Sequence, residues 1–365
     1  RKEWMEEPLV KIHYWLYPVS WVYGMGVYLR NKLFDWGYYQ SKSFDVPVVC
    51  VGNLAVGGTG KTPHTEYLIK LLQQTGANVA MLSRGYKRKS KGYVLATEET
   101  DVKRIGDEPY QIKTKFPDIR VAVDENRCHG IEQLMKLDNP KVDVVLLDDA
   151  YQHLRVKASC YFLLTAFDSP FTSDYLLPAG NLRESRHGAD RADCVIVTKV
   201  PRKYGGDGEK ANAMRGKFRR EIARYTEAPV IFSHYDYADH VKNPLLGKIP
   251  ADHLKDYNIL LVTAVANPVP LLSHLGSLEV TCRHLQYPDH HIFKRRDIEK
   301  IKNEFLNLPH GKNIILTTEK DMARIIGTPL AEYPVYSLAV RAVIDPRDEQ
   351  TFNSIIDNTI ERYKD

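Results

Sequence analysis

The sequence predicts an α/β protein, a doubly wound parallel sheet with a second, smaller α/β domain. Three observations predict it. Apolar, β-branched runs such as "VPVVCVGN" (46–53), "KVDVVLL" (141–147) and "CVIVTK" (194–199) alternate with helical spacings from about residue 46 to 222. A glycine-rich turn joins the first run to the first of those helices. A further α/β pattern, with "NILLVTAV" (258–265) and "NIILTT" (313–318), runs from roughly 228 to 340. The predicted divisions are an aromatic helix in 1–40, a core in 41–225, a second domain in 226–340 and a C-terminal helix in 341–365. That last segment, "EQTFNSIIDNTIERYKD", reads as amphipathic and is expected to pack back on the core.

Length and composition narrow the function. A chain of 365 residues, 43% apolar and 27% charged, has the make-up of an ordinary globular protein of about two domains. A net charge of +5 suits an anionic substrate or membrane surface and is too small for a nucleic-acid partner. Five scattered cysteines with no CxxC pair argue against a disulfide framework or structural zinc, and for a reducing compartment.

The first element is "IHYWLYPVSWVYGMGVYL" (12–29), which carries no Asp, Glu, Lys or Arg. A spanning helix needs about 20 mostly apolar residues. This stretch barely reaches that and is interrupted by His13, Pro18, Ser20 and two glycines. Six of its residues are Tyr or Trp, side chains that favour the headgroup zone, and Arg30 and Lys32 follow directly. The order of parts in a secretory signal peptide is missing. The expectation is a helix lying on a membrane surface.

Next comes the strand 46–53, the loop "AVGGTGKT" (55–62) and the helix "TPHTEYLIKLLQQTG" (62–76), stopped by Gly76. Pro63 sits in the first helical turn, where its missing N–H costs nothing. The loop matches the phosphate-binding pattern G-x-x-x-x-G-K-[ST], with the small Ala55 replacing the first glycine. Gly57, Gly58, Thr59 and Gly60 would turn backbone N–H groups toward the phosphates of ATP at the helix N-terminus. Lys61 would reach the β- and γ-phosphates and Thr62 would ligate Mg2+. "KVDVVLLDDAYQH" (141–153) then ends a strand in two acids, and either Asp148 or Asp149 suits the metal. Together the motifs read as a P-loop triphosphatase or kinase.

Several further motifs occur in a set order: "VPVVCVGNLAVGGTGKTP", "SRGYKRKSKG", "GDEPYQI", "LLDDAYQHLRV", "LLPAGNLRES" and "YPDHHIF". In this order they resemble the tetraacyldisaccharide 4'-kinases, the lipid A kinases of Gram-negative bacteria, from the aromatic helix to "TTEKD" (317–321). The resemblance implies transfer of the ATP γ-phosphate to the 4'-hydroxyl of lipid A disaccharide 1-phosphate at the cytoplasmic face of the inner membrane. The protein would be peripheral or monotopic there, with no protein partner predicted. It implies that Asp107 in "GDEP" is the base that takes the sugar hydroxyl's proton, and that His290 in "PDHH" partners it, with His291 as the alternative. It also implies that Arg183 in "NLRES" faces the phosphates.

Under that reading Glu184 helps to position Mg2+, and Arg127 and His153 face phosphate groups. Arg84, in the basic loop 83–92, steers the anionic head group. "TTEKD" resembles base-contacting motifs of other P-loop proteins. With Asp107 in the first domain and His290 in the second, domain closure would assemble the site. Two rival readings remain. One is a metal site from His284, Asp289, His290 and His291, without the usual helical ligand spacing. The other is a membrane-associated P-loop switch ATPase of the partitioning type, whose signature lysine before the double glycine is here Val56.

Overall fold

The computed structural model describes residues 12–265, 267–289 and 291–363. Residues 1–11 of the predicted first segment and His290 therefore lie outside the described residues.

A short 3-10 turn leads into helix α1 (Tyr17–Asp35). The alternation then runs β1 (Val48–Asn53), α2 (Lys61–Gln74), β2 (Val79–Ser83), β3 (Val94–Leu95), α3 (Val102–Ile105), α4 (Asp107–Lys115), β4 (Arg120–Val123) and α5 (Arg127–Met135). It continues with β5 (Val144–Asp148), β6 (Cys160–Ala166), β7 (Cys194–Thr198), α6 (Glu209–Ile222), β8 (Val230–Asn243) and β9 (Gly247–Pro250). The last third holds β10 (Asn258–Thr263), α7 (Val269–Ser277), β11 (Cys282–Gln286), α8 (Arg295–Leu306), β12 (Asn313–Thr318), α9 (Glu319–Ile325), β13 (Val335–Ile344) and α10 (Pro346–Glu361).

The strands lie in the order β11-β10-β12-β13-β8-β7-β6-β1-β5-β2-β4-β3, with β9 paired to β8. Neighbours from β8 through β7, β6, β1, β5 and β2 to β4 are parallel, as are those from β11 to β13. The fold is thus the expected α/β class with a large parallel sheet. The long strand β8 is shared between the two regions. Its start, Val230 to Phe232, pairs parallel with β7, while Ser233 to Lys242 pairs antiparallel with β13.

Alternation along each strand fills both faces. Val49 and Val51 of β1 join Leu68 and Leu72 of α2, Ile112 of α4 and Phe352 of α10 in one cluster. Val48 and Cys50 point the other way, to Ile131 and Leu134 of α5. In the second region Ile259 and Leu261 of β10 pack with Leu271 and Leu275 of α7, and Leu260 and Val262 with Ile301 of α8.

Helix α10 crosses back to the first region. Phe352, 1% exposed, sets its ring 5.1 Å from Phe162 of β6 and 5.5 Å from Tyr67 of α2. Buried Arg215 of α6 holds Asp348 of α10 (2.6 Å) and Asp345 just before that helix (2.9 Å). Truncating a buried Phe costs about 3–5 kcal/mol. Phe352→Ala is therefore expected to lower the thermal midpoint by several degrees, measured by differential scanning calorimetry. An unchanged midpoint would contradict this packing.

Candidate functional site

The carboxyl ends of β1, β5 and β7 all open on the loop between β1 and α2, which concentrates chemistry there. Gly60 caps α2 at φ +91°, and a Cβ there would overlap the Tyr235 hydroxyl, so glycine is required twice over. Gly57 also has positive φ (+109°), with open space where its side chain would be. His64, in the first turn of α2, fastens the loop from beneath. Its Nδ1 lies 2.7 Å from Gly60 O and its Nε2 2.8 Å from the Ser233 hydroxyl on β8. Burial pushes this imidazole down to about 4, so it is neutral at pH 7.

Two strands place lysines or acids against the loop. The Lys61 ammonium lies 3.5 Å from Asp149 Oδ1 and 3.3 Å from Asn53 Oδ1. Asp149 follows β5 in the left-handed region, φ +48°, and its Oδ1 also accepts from Arg183 Nη1 at 2.9 Å. Burial alone would raise the Asp149 carboxyl, but Lys61 and Arg183 outweigh it and hold it below its ordinary value. Asp148 is 2% exposed and accepts weakly from the Thr65 hydroxyl at 3.4 Å. Burial, with the charges of Glu108 and Asp149, pushes its carboxyl up to about 7. Thr62 is half-buried one residue into α2.

At the end of β7, Thr198 donates to Thr59 O at 2.8 Å, and Lys199, at φ +59°, donates to Gly58 O. Burial pulls the Lys199 ammonium below its ordinary value. The sequence reading did not single out Lys199, His64 or Tyr235. For Lys199 a signal existed: "VTK" ends a buried parallel strand, as the two aspartates end another.

The segment 174–184 carries Arg183 and Glu184 and forms the seat of α1. Glu184 is fully buried and takes two bonds from Arg191 Nη2 (2.8 and 3.0 Å), one from Gln152 Nε2 (3.0 Å) and one from Asn31 of α1 (3.4 Å). Ser20 of α1 accepts from Ala179 N and donates to Leu176 O, and the Tyr23 hydroxyl donates to Arg183 O. Ser20 is the only buried residue of that helix, while Trp15 (77%), Trp21 (74%) and Val22 (65%) are exposed. Among the described residues, no helix is long and apolar enough to cross a membrane.

Three more cationic or aromatic groups share one electrostatic neighbourhood. Arg127 is 2% exposed; its Nη1 donates to Asp124 O, while Nε and Nη2 are buried without a partner. Burial lowers the guanidinium to about 10, against the pull of Asp148 and Asp149. Burial, then Arg127 and Arg84, pushes the half-buried His153 down to about 4. Arg84 itself is exposed, on the basic loop that lines a cavity of about 410 Å3 with Arg88 and Lys91.

Asp107 starts α4, and its Oδ2 accepts from Arg324 Nε at 2.7 Å. Its neighbour Glu108 acts on Asp148, so α4 opens toward the same carboxylates. Of the "PDHH" residues, Asp289 Oδ1 is 3.7 Å from Lys320, and His291 Nε2 bonds Asp297 at 2.9 Å while stacking on Tyr287. His284 bonds the Thr263 hydroxyl. Among the described residues, no three His, Cys, Asp or Glu side chains gather as a metal-holding group.

The donor set fits a magnesium nucleotide. The loop holds a buried Thr59 hydroxyl without a hydrogen-bond partner, two nearby lysines and a pair of carboxylates at the adjoining strand end. These are the groups that receive phosphate oxygens and a hard cation.

Known proteins resemble this chain over most of its length. Residues 12–361 match the family model for Tetraacyldisaccharide-1-P 4'-kinase. The chain is similar to the tetraacyldisaccharide 4'-kinases of Bacteroides thetaiotaomicron (47% identity, 96% of this chain and 94% of that one) and Flavobacterium johnsoniae (45%, 88% and 90%). It is also similar to a crystal structure of LpxK from Aquifex aeolicus in complex with ATP, with TM-score 0.74, 28% identity, and coverage of 95% of this chain and 99% of that one.

The neutral His64 makes stability depend on pH. An unfolded imidazole titrates near 6.5 and the folded one at about 4, so the unfolded chain binds the extra proton between those values. The contribution is fully present above pH 6.5 and lost as pH falls toward 4, by roughly 3 kcal/mol in all. Urea unfolding followed from pH 7 to 4 is expected to show a shallower loss for His64→Gln than for wild type. Parallel slopes would contradict a buried neutral imidazole.

Proposed function

Because the chain belongs to the tetraacyldisaccharide-1-P 4'-kinase family, we propose that it transfers the γ-phosphoryl group of ATP to the 4'-hydroxyl of tetraacyldisaccharide 1-phosphate. The observation that supports this most is Asp149, whose carboxylate joins Lys61 of the glycine loop to Arg183 of the segment on which α1 is seated. Nucleotide loop and aromatic helix are thus two ends of one polar connection.

The residue roles follow from charge and position. Gly57 to Gly60 cradle the phosphates through backbone N–H groups, with Lys61 and Arg183 spreading the charge that builds on the transferred group. Lys61 and Arg183 already share a carboxylate oxygen, so each stands within reach of one anionic point. Thr62, Asp148 and Asp149 would hold Mg2+, with Glu184 ordering that side through Gln152 and Arg191. Mg2+, when bound, offsets the negative charge of the phosphate oxygens. Asp107 accepts the proton of the sugar hydroxyl as its oxygen bonds to phosphorus and the bond to the leaving diphosphate breaks. His290 is the partner of Asp107 on this reading. Arg127, Arg84 and His153 form the side that receives the disaccharide and its 1-phosphate.

The substrate carries fatty acyl chains, and α1 offers a matching surface. Its exposed Trp21, Val22, Met25, Tyr28 and Leu29, with Trp15 in the 3-10 turn before it, form an apolar, aromatic face followed by Arg30 and Lys32. Such a helix rests in the headgroup region of an anionic bilayer. On this reading the enzyme works at the cytoplasmic face of the bacterial inner membrane, as a peripheral protein. Residues 41–225 carry the nucleotide, and 226–340 close the cleft from the other side.

Incubation with γ-labelled ATP and the purified glycolipid tests the reaction. A labelled bisphosphorylated glycolipid is expected, with Lys61→Ala and Asp107→Ala each lowering kcat by about 10²–10⁴. Labelling of a soluble metabolite instead would overturn the substrate. Separately, the double variant Trp15→Ser, Trp21→Ser is expected to bind anionic liposomes at least about tenfold more weakly. Equal sedimentation with liposomes would rule out this face.

A further inference from the structure

One motif, "TTEKD" (317–321), has no task in the phosphotransfer chemistry above. It bridges the end of β12 and the start of α9. Thr318 caps α9, its hydroxyl accepting from Asp321 N (3.1 Å) and donating to Asp321 Oδ2 (2.8 Å). The same Oδ2 accepts from Ala264 N at the end of β10 (2.9 Å), so the fully buried Asp321 ties α9 to two strand ends. Its other oxygen accepts from Arg324 Nη1 (3.0 Å). Arg324, whose side chain is 6% exposed, then donates through Nε to Asp107 Oδ2 (2.7 Å). Backbone amide, buried carboxylate, guanidinium and Asp107 form one continuous chain.

Two other contacts fix the helices that carry it. Lys320 lies 3.8 Å from Glu108, beside Asp107. At the far end of α4, Lys115 bonds both Glu319 of α9 (2.7 Å) and the buried Glu66 of α2 (2.8 Å). Helix α4 is therefore pinned to α9 at both ends.

We propose that Arg324 is a positioning residue for phosphoryl transfer, and that the "TTEKD" segment exists to clamp it. The proposal rests on Asp107 being the base. A carboxylate can rotate, and a base is useful only while its accepting oxygen stays within hydrogen-bond reach of the hydroxyl. A charge-assisted bond to one oxygen fixes that rotation. Arg324 can supply it only because Asp321 balances its charge, since a lone buried guanidinium would be costly. Arginine is required because two of its nitrogens, Nε and Nη1, serve different carboxylates at once, which a single ammonium cannot copy in the same geometry.

A double-mutant cycle tests this on the full-length chain, with ATP and the glycolipid as substrates. Arg324→Met is expected to lower kcat by about 10–100-fold while the KM for ATP changes less than about twofold. In an Asp107→Asn background the same change is expected to have no further effect, because the group it positions is already gone. Wild-type kcat in Arg324→Met would overturn the proposal, as would the full 10–100-fold loss persisting on top of Asp107→Asn. Wild-type kcat in Asp107→Asn alone would instead remove the base itself, so the two failures are distinct. Should Arg324→Met not fold, Arg324→Lys in the same cycle is expected to give an intermediate kcat, again with no effect beside Asp107→Asn. Full activity of Arg324→Lys would overturn the claim as well.

Discussion

The carboxylate of Asp149 is the constraint around which the site is organised. It stands where β5 ends, in a backbone conformation that L residues seldom adopt, φ +48°. That turn aims one oxygen at both Lys61 and Arg183. Without it the loop lysine and the arginine of 181–184 would repel each other across a partly buried space. Held this way, two cations sit side by side at low cost, ready to share a more highly charged partner. Three separated stretches of chain meet at a single atom.

The consequence reaches α1. The segment that brings Arg183 to Asp149 also accepts from Tyr23 and bonds Ser20 and Asn31, so the aromatic helix is fixed to the side of the nucleotide loop rather than tethered at a distance. On the proposed function, a lipid-borne acceptor entering from the membrane would meet Lys61 and Arg183 without leaving the interface. The buried polar groups nearby obey the same economy. Glu184 is matched by Arg191, and His64 is kept neutral between a carbonyl and a hydroxyl. Arg127 departs from this, with two guanidinium nitrogens buried and unsatisfied beside Asp148 and Asp149, as do the Thr59 hydroxyl and Arg191 Nε.

Much of this was legible in the sequence because it is local. The strand, glycine turn and helix at 46–76 declare themselves by periodicity and by glycines where the backbone needs a shape that L side chains rarely adopt, Gly60 above all. The acid pair closing a strand was equally plain, although nothing in "LLDDA" tells which carboxyl is buried and which is bridged. That difference comes from one residue's turn out of the sheet. Lys199 was readable in principle from its place at a strand end, but a lone lysine after a strand has many meanings. The link from Arg324 to Asp107 was not readable at all, because 217 residues separate its partners and only the packing of α9 on α4 joins them. The course of β8 was hidden for the same reason. A run of polar and aromatic residues such as "SHYDYADHVKN" shows neither where its strand changes partners nor which strands those are.

That change of partner is what ties the two regions to the chemistry. Strand β8 leaves β7 after Phe232 and takes up β13 from Ser233 onward. The residues at the switch are those that hold the nucleotide loop: Ser233 bonds His64, and Tyr235 fills the space against Gly60. A rotation of the second region relative to the first would strain this strand beside the first turn of α2, where Ser233 bonds His64. The same rotation would pull α9 along or away from α4, changing how Arg324 meets Asp107. The glycine loop and Asp107 both belong to the first region, and each is held by a contact from the second, Ser233 on His64 and Arg324 on Asp107. On the proposed function, a site held from both regions reaches working geometry only when they agree, which is a physical reason for building a phosphotransfer centre across a shared strand instead of within one domain.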